Sequence, residues 1–165
     1  MERRLTLMNH EHLIELIDKT NSTARETMLL GYGGPFGAAV IKNNEVISCT
    51  SNSVLRDNDP TAHAEINAIR QACKTLGTYD LSGCELYTTC YPCPMCLSAI
   101  IWANIKQVYV SCSPEDAEKA GFRDKFMYEY LSGTNKEKLI DFEYVDNSKS
   151  IDLFREYTEL GKTIY

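Results

Sequence analysis

The sequence is short of several things, and each absence removes a class of protein. It has no long apolar run. The longest, residues 97–103, is interrupted by Ser98, so no segment is expected to cross a bilayer. The opening MERRLTLMNHEH carries two arginines but no apolar stretch or small-residue cleavage site behind them, so a signal peptide is not expected. No basic stripe is present. Lysine and arginine are scattered, the longest cluster is Arg3-Arg4, and the net charge is −6 from 17 basic and 23 acidic residues. A large nucleic-acid partner is therefore not expected. Repeats, low-complexity tracts and a linker are missing too. What remains is an ordinary balance of 44% hydrophobic and 24% charged residues in a chain of 165. That length suits one domain with a real core. Seven cysteines, an odd number without an export signal, suggest a reducing cytoplasmic setting with some thiols buried and some on metal.

Periodicity predicts the elements. Leu13, Ile17, Ala24 and Met28 repeat at helical spacing over residues 9–30, with Asn9 as N-cap. GYGGPFG at 31–37 breaks that helix. Residues 36–41 and 45–50 read as strands joined at Asn43-Asn44. Asp59 as N-cap, Pro60 at N1 and Gly77 at C′ bracket a second helix. A strand at 85–89, a helix at 94–104, a strand at 107–111, a short helix at 114–120 and a final amphipathic helix at 151–160 follow. A hairpin and then alternating strands and helices imply right-handed crossovers and a mixed sheet covered on both faces.

Two motifs carry chemistry. Thr61-Ala62-His63-Ala64-Glu65 and Cys90-Tyr91-Pro92-Cys93-Pro94-Met95-Cys96 each stand at an expected helix start. His63, Cys93 and Cys96 offer three zinc ligands and leave a fourth position for water, as catalytic zinc sites do. His63 and Glu65 are about 200° apart around a helix, so they share a site only beyond its end. Two thiolates and a neutral imidazole balance one Zn²⁺, and water on it would be acidified. Glu65 is the group placed to take the proton. Cys90 has two readings, a fourth ligand of a closed structural site or a thiol buried by the preceding strand.

His63-Ala64-Glu65 with Pro92-Cys93-Pro94-Met95-Cys96 resembles the H-x-E…P-C-x-x-C signature of the cytidine-deaminase-like superfamily. Within it the chain is similar to the bacterial guanine deaminases. Residues 33–38 (GGPFGA), 58–65 (NDPTAHAE) and 117–122 (AEKAGF) carry that likeness. The resemblance implies an α/β, three-layer α/β/α fold with a central mixed sheet of about five strands. It implies a single deaminase domain over 1–165, one zinc per chain, and hydrolysis of guanine to xanthine and ammonia. Other amino-heterocycles, nucleosides and, less readily, a tRNA adenosine are alternative substrates. A non-catalytic zinc-binding interaction protein is the alternative of another class. The resemblance also implies that Asn52 reads the ring edge, that Phe36 and Ala64 line the substrate, and that Asp116 faces the purine and its departing amine. Tyr165 would close the pocket, with the tail 151–165 exchanged onto the partner subunit of a homodimer. Each has a plainer role to weigh: hairpin end for Asn52, core for Phe36, helix N-terminal charge for Asp116, frayed end for Tyr165. One position departs from the pattern: Tyr91 stands where the family commonly has Glu.

Overall fold

The structure is a computed structural model that describes residues 10–122 and 124–165. Asn9, the expected first N-cap, lies outside them. The chain divides into two compact units, the first ending at Asn135 and the second being Lys136–Tyr165.

In the first unit, α1 (His10–Leu29) leads to β1 (Gly37–Lys42) and β2 (Glu45–Ser51), joined at Asn43 and Asn44. Both asparagines have positive φ, 52° and 66°, which suits a tight hairpin turn. A one-turn helix α2 (Val54–Asp57) precedes α3 (Ala64–Leu76). Then come β3 (Glu85–Cys90), α4 (Pro94–Trp102), β4 (Gln107–Cys112), α5 (Pro114–Lys119) and α6 (Lys125–Leu131). The sheet order is β2-β1-β3-β4, with β1 antiparallel to both neighbours and β3 parallel to β4.

Strand alternation makes three layers. Ala38, Val40 and Leu86 face one side, where they pack with Ala64, Ala68 and Ala72 of α3 and Ile100 of α4. Ala39, Ile41 and Tyr87 face the other, against Leu16 and Ile17 of α1. Covered on both faces, the central strands are buried along nearly their whole length, and β1 reads as an apolar run up to Lys42. Alanine every fourth residue lets α3 lie close on the sheet.

Three expectations need correction. Among the described residues the sheet has four strands, not about five. Residues 136–147 have no regular structure, and a strand exists only where its backbone finds a ladder partner, which composition alone cannot supply. Asp59 does not cap α3. It accepts from the Thr61 N–H and hydroxyl at 2.8 and 2.7 Å, and the Ala62 N–H returns to its carbonyl at 3.1 Å. Pro60 therefore occupies the second position of a β-turn, and the helix starts at Ala64 with His63 as N-cap. Helices α2 and α6 were not expected, being too short for periodicity to reveal. Gly77 does end α3 in the left-handed conformation, φ 66°.

In the second unit, α7 (Ser148–Glu159) begins three residues before the expected start. Every residue from 136 to 165 is exposed, including Phe142, Tyr144 and Phe154. No described helix is long and apolar enough to cross a membrane.

Candidate active site

Two helix starts meet over the C-terminal end of β3. His63 is the N-cap of α3 and Cys93 the N-cap of α4, both with extended backbone that turns the side chain past the helix end. Pro94 at N1 costs α4 no hydrogen bond, because the first amides of a helix have no partner within it. Cys96, one turn on, brings its sulfur to the same side. His63 Nδ1 lies 3.6 Å from Cys93 Sγ and 3.6 Å from Cys96 Sγ. Tetrahedral zinc with typical bond lengths sets nitrogen and sulfur about 3.6 Å apart. The three donors thus fit that ion. They are the metal-ligating cluster found among the described residues, all within 4.8 Å of one another. Cys90 is buried on β3 and outside this cluster, its thiol donating to the Ser113 carbonyl.

Without an ion, electrostatics favour the deprotonated, ligating form at Cys93 and the protonated form at Cys96 and His63. A hydrogen bond from Cys96 lowers the Cys93 thiol far below its usual range, with His63 adding to it and burial opposing. Cys96 holds the proton of the pair. The Cys93 bond also raises His63. Both helix N-termini contribute partial positive charge.

Glu65 is 6% exposed. Thr88 of β3 donates to its Oε1 at 3.1 Å and the Cys96 thiol to its Oε2 at 3.4 Å. Burial raises its carboxyl, and these hydrogen bonds oppose the rise. A buried carboxylate with a raised affinity for protons beside a metal site is suited to accept a proton and release it.

A cavity of about 290 Å³ opens on His63, Glu65 and Cys93. Phe36, Asn52 and Tyr91 line it, with Phe122 and Asp124 from the segment between α5 and α6. Asn52 is 6% exposed. Its Oδ1 accepts the Val54 N–H at 3.2 Å, so its NH₂ is the group left for the cavity. Gly33 permits this, since a Cβ there would stand 2.0 Å from Asn52 Oδ1. Phe36 meets Phe122 edge to face at 4.6 Å. Ala64 is buried at the first turn of α3 and accepts from the Thr50 hydroxyl, away from the lining. Tyr91 stands 6.4 Å from the Tyr128 ring, and the Tyr128 hydroxyl donates to the Pro92 carbonyl.

The structure does not bring Asp116 to this cavity. It closes a capping box with Ser113 at the start of α5 and pairs with Lys119 at 3.3 Å. Hydrogen bonds from Ser113 hold its carboxyl below the usual value. It lines a neighbouring hollow that shares Phe36, Cys90 and Phe122. Tyr165 ends the second unit, 80% exposed. Sequence reasoning missed Thr88, Phe122 and Asp124 as site residues.

Comparison with known proteins agrees with this geometry. Residues 9–112 match the cytidine and deoxycytidylate deaminase zinc-binding region. The guanine deaminase of Bacillus subtilis is 43% identical over 150 residues, covering 91% of this chain and 94% of that one. Its crystal structure superposes with a TM-score of 0.85, covering 96% of this chain. The tRNA-specific adenosine deaminase of Aquifex aeolicus is 49% identical, but over 77 residues, 47% of this chain and 51% of its own.

Proposed function

The chain belongs to the cytidine and deoxycytidylate deaminase zinc-binding family and is a zinc-dependent hydrolytic deaminase, and we propose from that premise that its substrate is free guanine, released as xanthine and ammonia. One observation supports the choice of base most. Likeness to a guanine deaminase runs nearly end to end, whereas likeness to a tRNA adenosine deaminase stops at about half of each chain.

His63, Cys93 and Cys96 would hold the zinc ion, which would supply a Lewis acid able to acidify water at neutral pH. Glu65 takes one proton of the attacking water and delivers it to a ring nitrogen, then takes the hydroxyl proton left on the tetrahedral carbon and passes it to the amine, whose C–N bond breaks as the carbonyl forms. Thr88 keeps the Glu65 carboxylate aimed during both transfers. The Asn52 NH₂ donates to an acceptor on the base. Phe36 and Phe122 form an apolar wall that excludes water beside the ring.

The tail belongs to this reading. A helix with an amphipathic pattern and exposed Leu153 and Phe154 needs a surface to cover its apolar side chains. A homodimer in which Tyr165 closes the partner's cavity would provide one. Residues 1–165 then act as a single functional domain. Free cysteines throughout suit a cytoplasmic enzyme of purine breakdown. Asp116 is carried over from the sequence likeness alone as a second group for the departing amine.

Ammonia release is the test. Guanine, guanosine, cytosine, cytidine and adenine are offered to zinc-loaded protein. Guanine should exceed the others by at least 100-fold in kcat/KM, a difference of about 3 kcal/mol. Preference for a pyrimidine would overturn the proposal.

A further inference from the structure

Cys90 is the thiol that the metal site does not use. It is buried at the end of β3, and its sulfur donates across to the Ser113 carbonyl, just past the end of β4. Its neighbour on β4 is another cysteine. The parallel register pairs Leu86 with Val108, Thr88 with Val110 and Cys90 with Cys112. Paired residues of a parallel ladder send their side chains to the same face, and adjacent strands run about 4.8 Å apart. That spacing falls within the Cα separation of about 4.4–6.8 Å that a disulfide spans. Both cysteines line one hollow of about 200 Å³, so there is room beside the sulfurs. Burial holds the Cys90 thiol up at about 11, and the Cys112 thiol adds to the rise, as a close neighbour does. Cys112 is exposed where Cys90 is buried, so the pair has an entry thiol and a resolving thiol.

The place of the pair gives a bond between them a consequence. Cys90 also lines the cavity that holds His63 and Glu65, and the metal loop runs on from it to Cys93. Its carbonyl accepts from the Thr88 hydroxyl at 3.0 Å, the same hydroxyl that donates to Glu65 at 3.1 Å. A cross-link that draws Cys90 toward β4 acts on a wall of the active site and on the hydrogen bond that aims Glu65.

We propose that Cys90 and Cys112 are a modification site, a dithiol that closes to a reversible disulfide and slows deamination while the zinc ligands are left intact. The oxidant is a low-molecular-weight disulfide. The Cys112 thiolate attacks one of its sulfurs, forms a mixed disulfide and releases one small thiol. Cys90 gives up its proton to water and attacks the Cys112 sulfur, and the second small thiolate leaves and is protonated. Two cysteines are oxidised and one small disulfide is reduced to two thiols. Excess thiol runs both steps backwards.

Zinc-loaded protein treated with bis(2-hydroxyethyl) disulfide tests this by intact mass, peptide mapping, zinc content and ammonia release from guanine. The wild type should lose two hydrogens and yield a linked pair of peptides, since cleavage after Lys106 separates Cys90 from Cys112. It should keep its zinc and fall about 10- to 100-fold in kcat/KM, the scale of a displacement of about 1 Å near the reacting groups. Excess thiol should restore it. Cys112→Ser, at an exposed position, should start with wild-type activity and zinc and be unmoved by the treatment. Cys90→Ser should stop at the mixed disulfide, heavier by one small thiol group. A link joining any other pair overturns the proposal, and so does loss of zinc in step with activity. A linked protein with unchanged kcat/KM overturns it too, as does a Cys112→Ser protein slowed as much as the wild type. A wild type that releases no ammonia from guanine before treatment overturns the guanine reading instead, and the peptide map still decides the bond.

Discussion

Single residues set the chemistry through contacts that spacing does not reveal. Glu65 owes its raised proton affinity to burial and its orientation in part to Thr88, a strand residue 23 positions away. Asn52 presents a donor because Val54 claims its oxygen, and it has room because residue 33 lacks a side chain. This makes Gly33 testable. In Gly33→Ala the added carbon would overlap Asn52 Oδ1, so the amide or the 31–37 loop must shift. Overpacking of this kind costs about 1–3 kcal/mol. We expect kcat/KM for guanine to fall about 10- to 100-fold while zinc content is unchanged, read from steady-state kinetics and metal analysis. Normal kinetics in that variant would show that Asn52 does not need its present place.

Among elements, the junction of α3 and α4 carries the metal site. Both helices begin with a ligand, so a bound zinc would join their starts, with the thiolate charges offsetting the partial positive charge of both N-termini. Binding to the folded state alone stabilises it by about 4 kcal/mol at a thousand times Kd. Chelation should therefore lower the Tm of the wild type by several degrees, and Cys96→Ser should start from the lower Tm and respond little to chelator. Calorimetry with and without chelator measures both. A Cys96→Ser protein that keeps full zinc would remove Cys96 from the ligand set. Most of this junction was legible from residues, since three ligands, one histidine and two cysteines, stand near two expected helices. The hairpin at Asn43-Asn44 and the stop at Gly77 were legible for the same local reason. The start of α3 was not, because Asp59-Pro60 is equally good chemistry for a turn, and Thr61 and Ala62 decide for the turn. Asp124 was hidden because its segment is placed by Phe122, Met127 and Tyr128 across long separations. Asp116 looked catalytic by likeness and sits in a cap, a local pairing with Ser113 that sequence alone also allowed.

For the whole molecule, the open question is what the exposed tail covers. A chain with net charge −6 has no basic field to draw RNA, and its exposed aromatic tail residues suit protein contact better. Deleting Ile164 and Tyr165 should leave Tm and zinc nearly unchanged and lower kcat/KM for guanine. Under the proposed tail exchange, mixing that truncated protein with Glu65→Gln should restore part of the activity, because a heterodimer would pair an intact Glu65 with an intact tail. Unchanged kinetics after truncation would make the tail an ordinary frayed end. The account as a whole depends on guanine hydrolysis driven by a proton carrier beside zinc. It is tested most directly by ammonia release from guanine with zinc-loaded wild type and zinc-loaded Glu65→Gln, side by side. We predict rapid release by the wild type and a loss of about 10²- to 10⁴-fold or more in Glu65→Gln at equal zinc content. Near-normal turnover by the zinc-loaded variant, or none by the wild type, would contradict it.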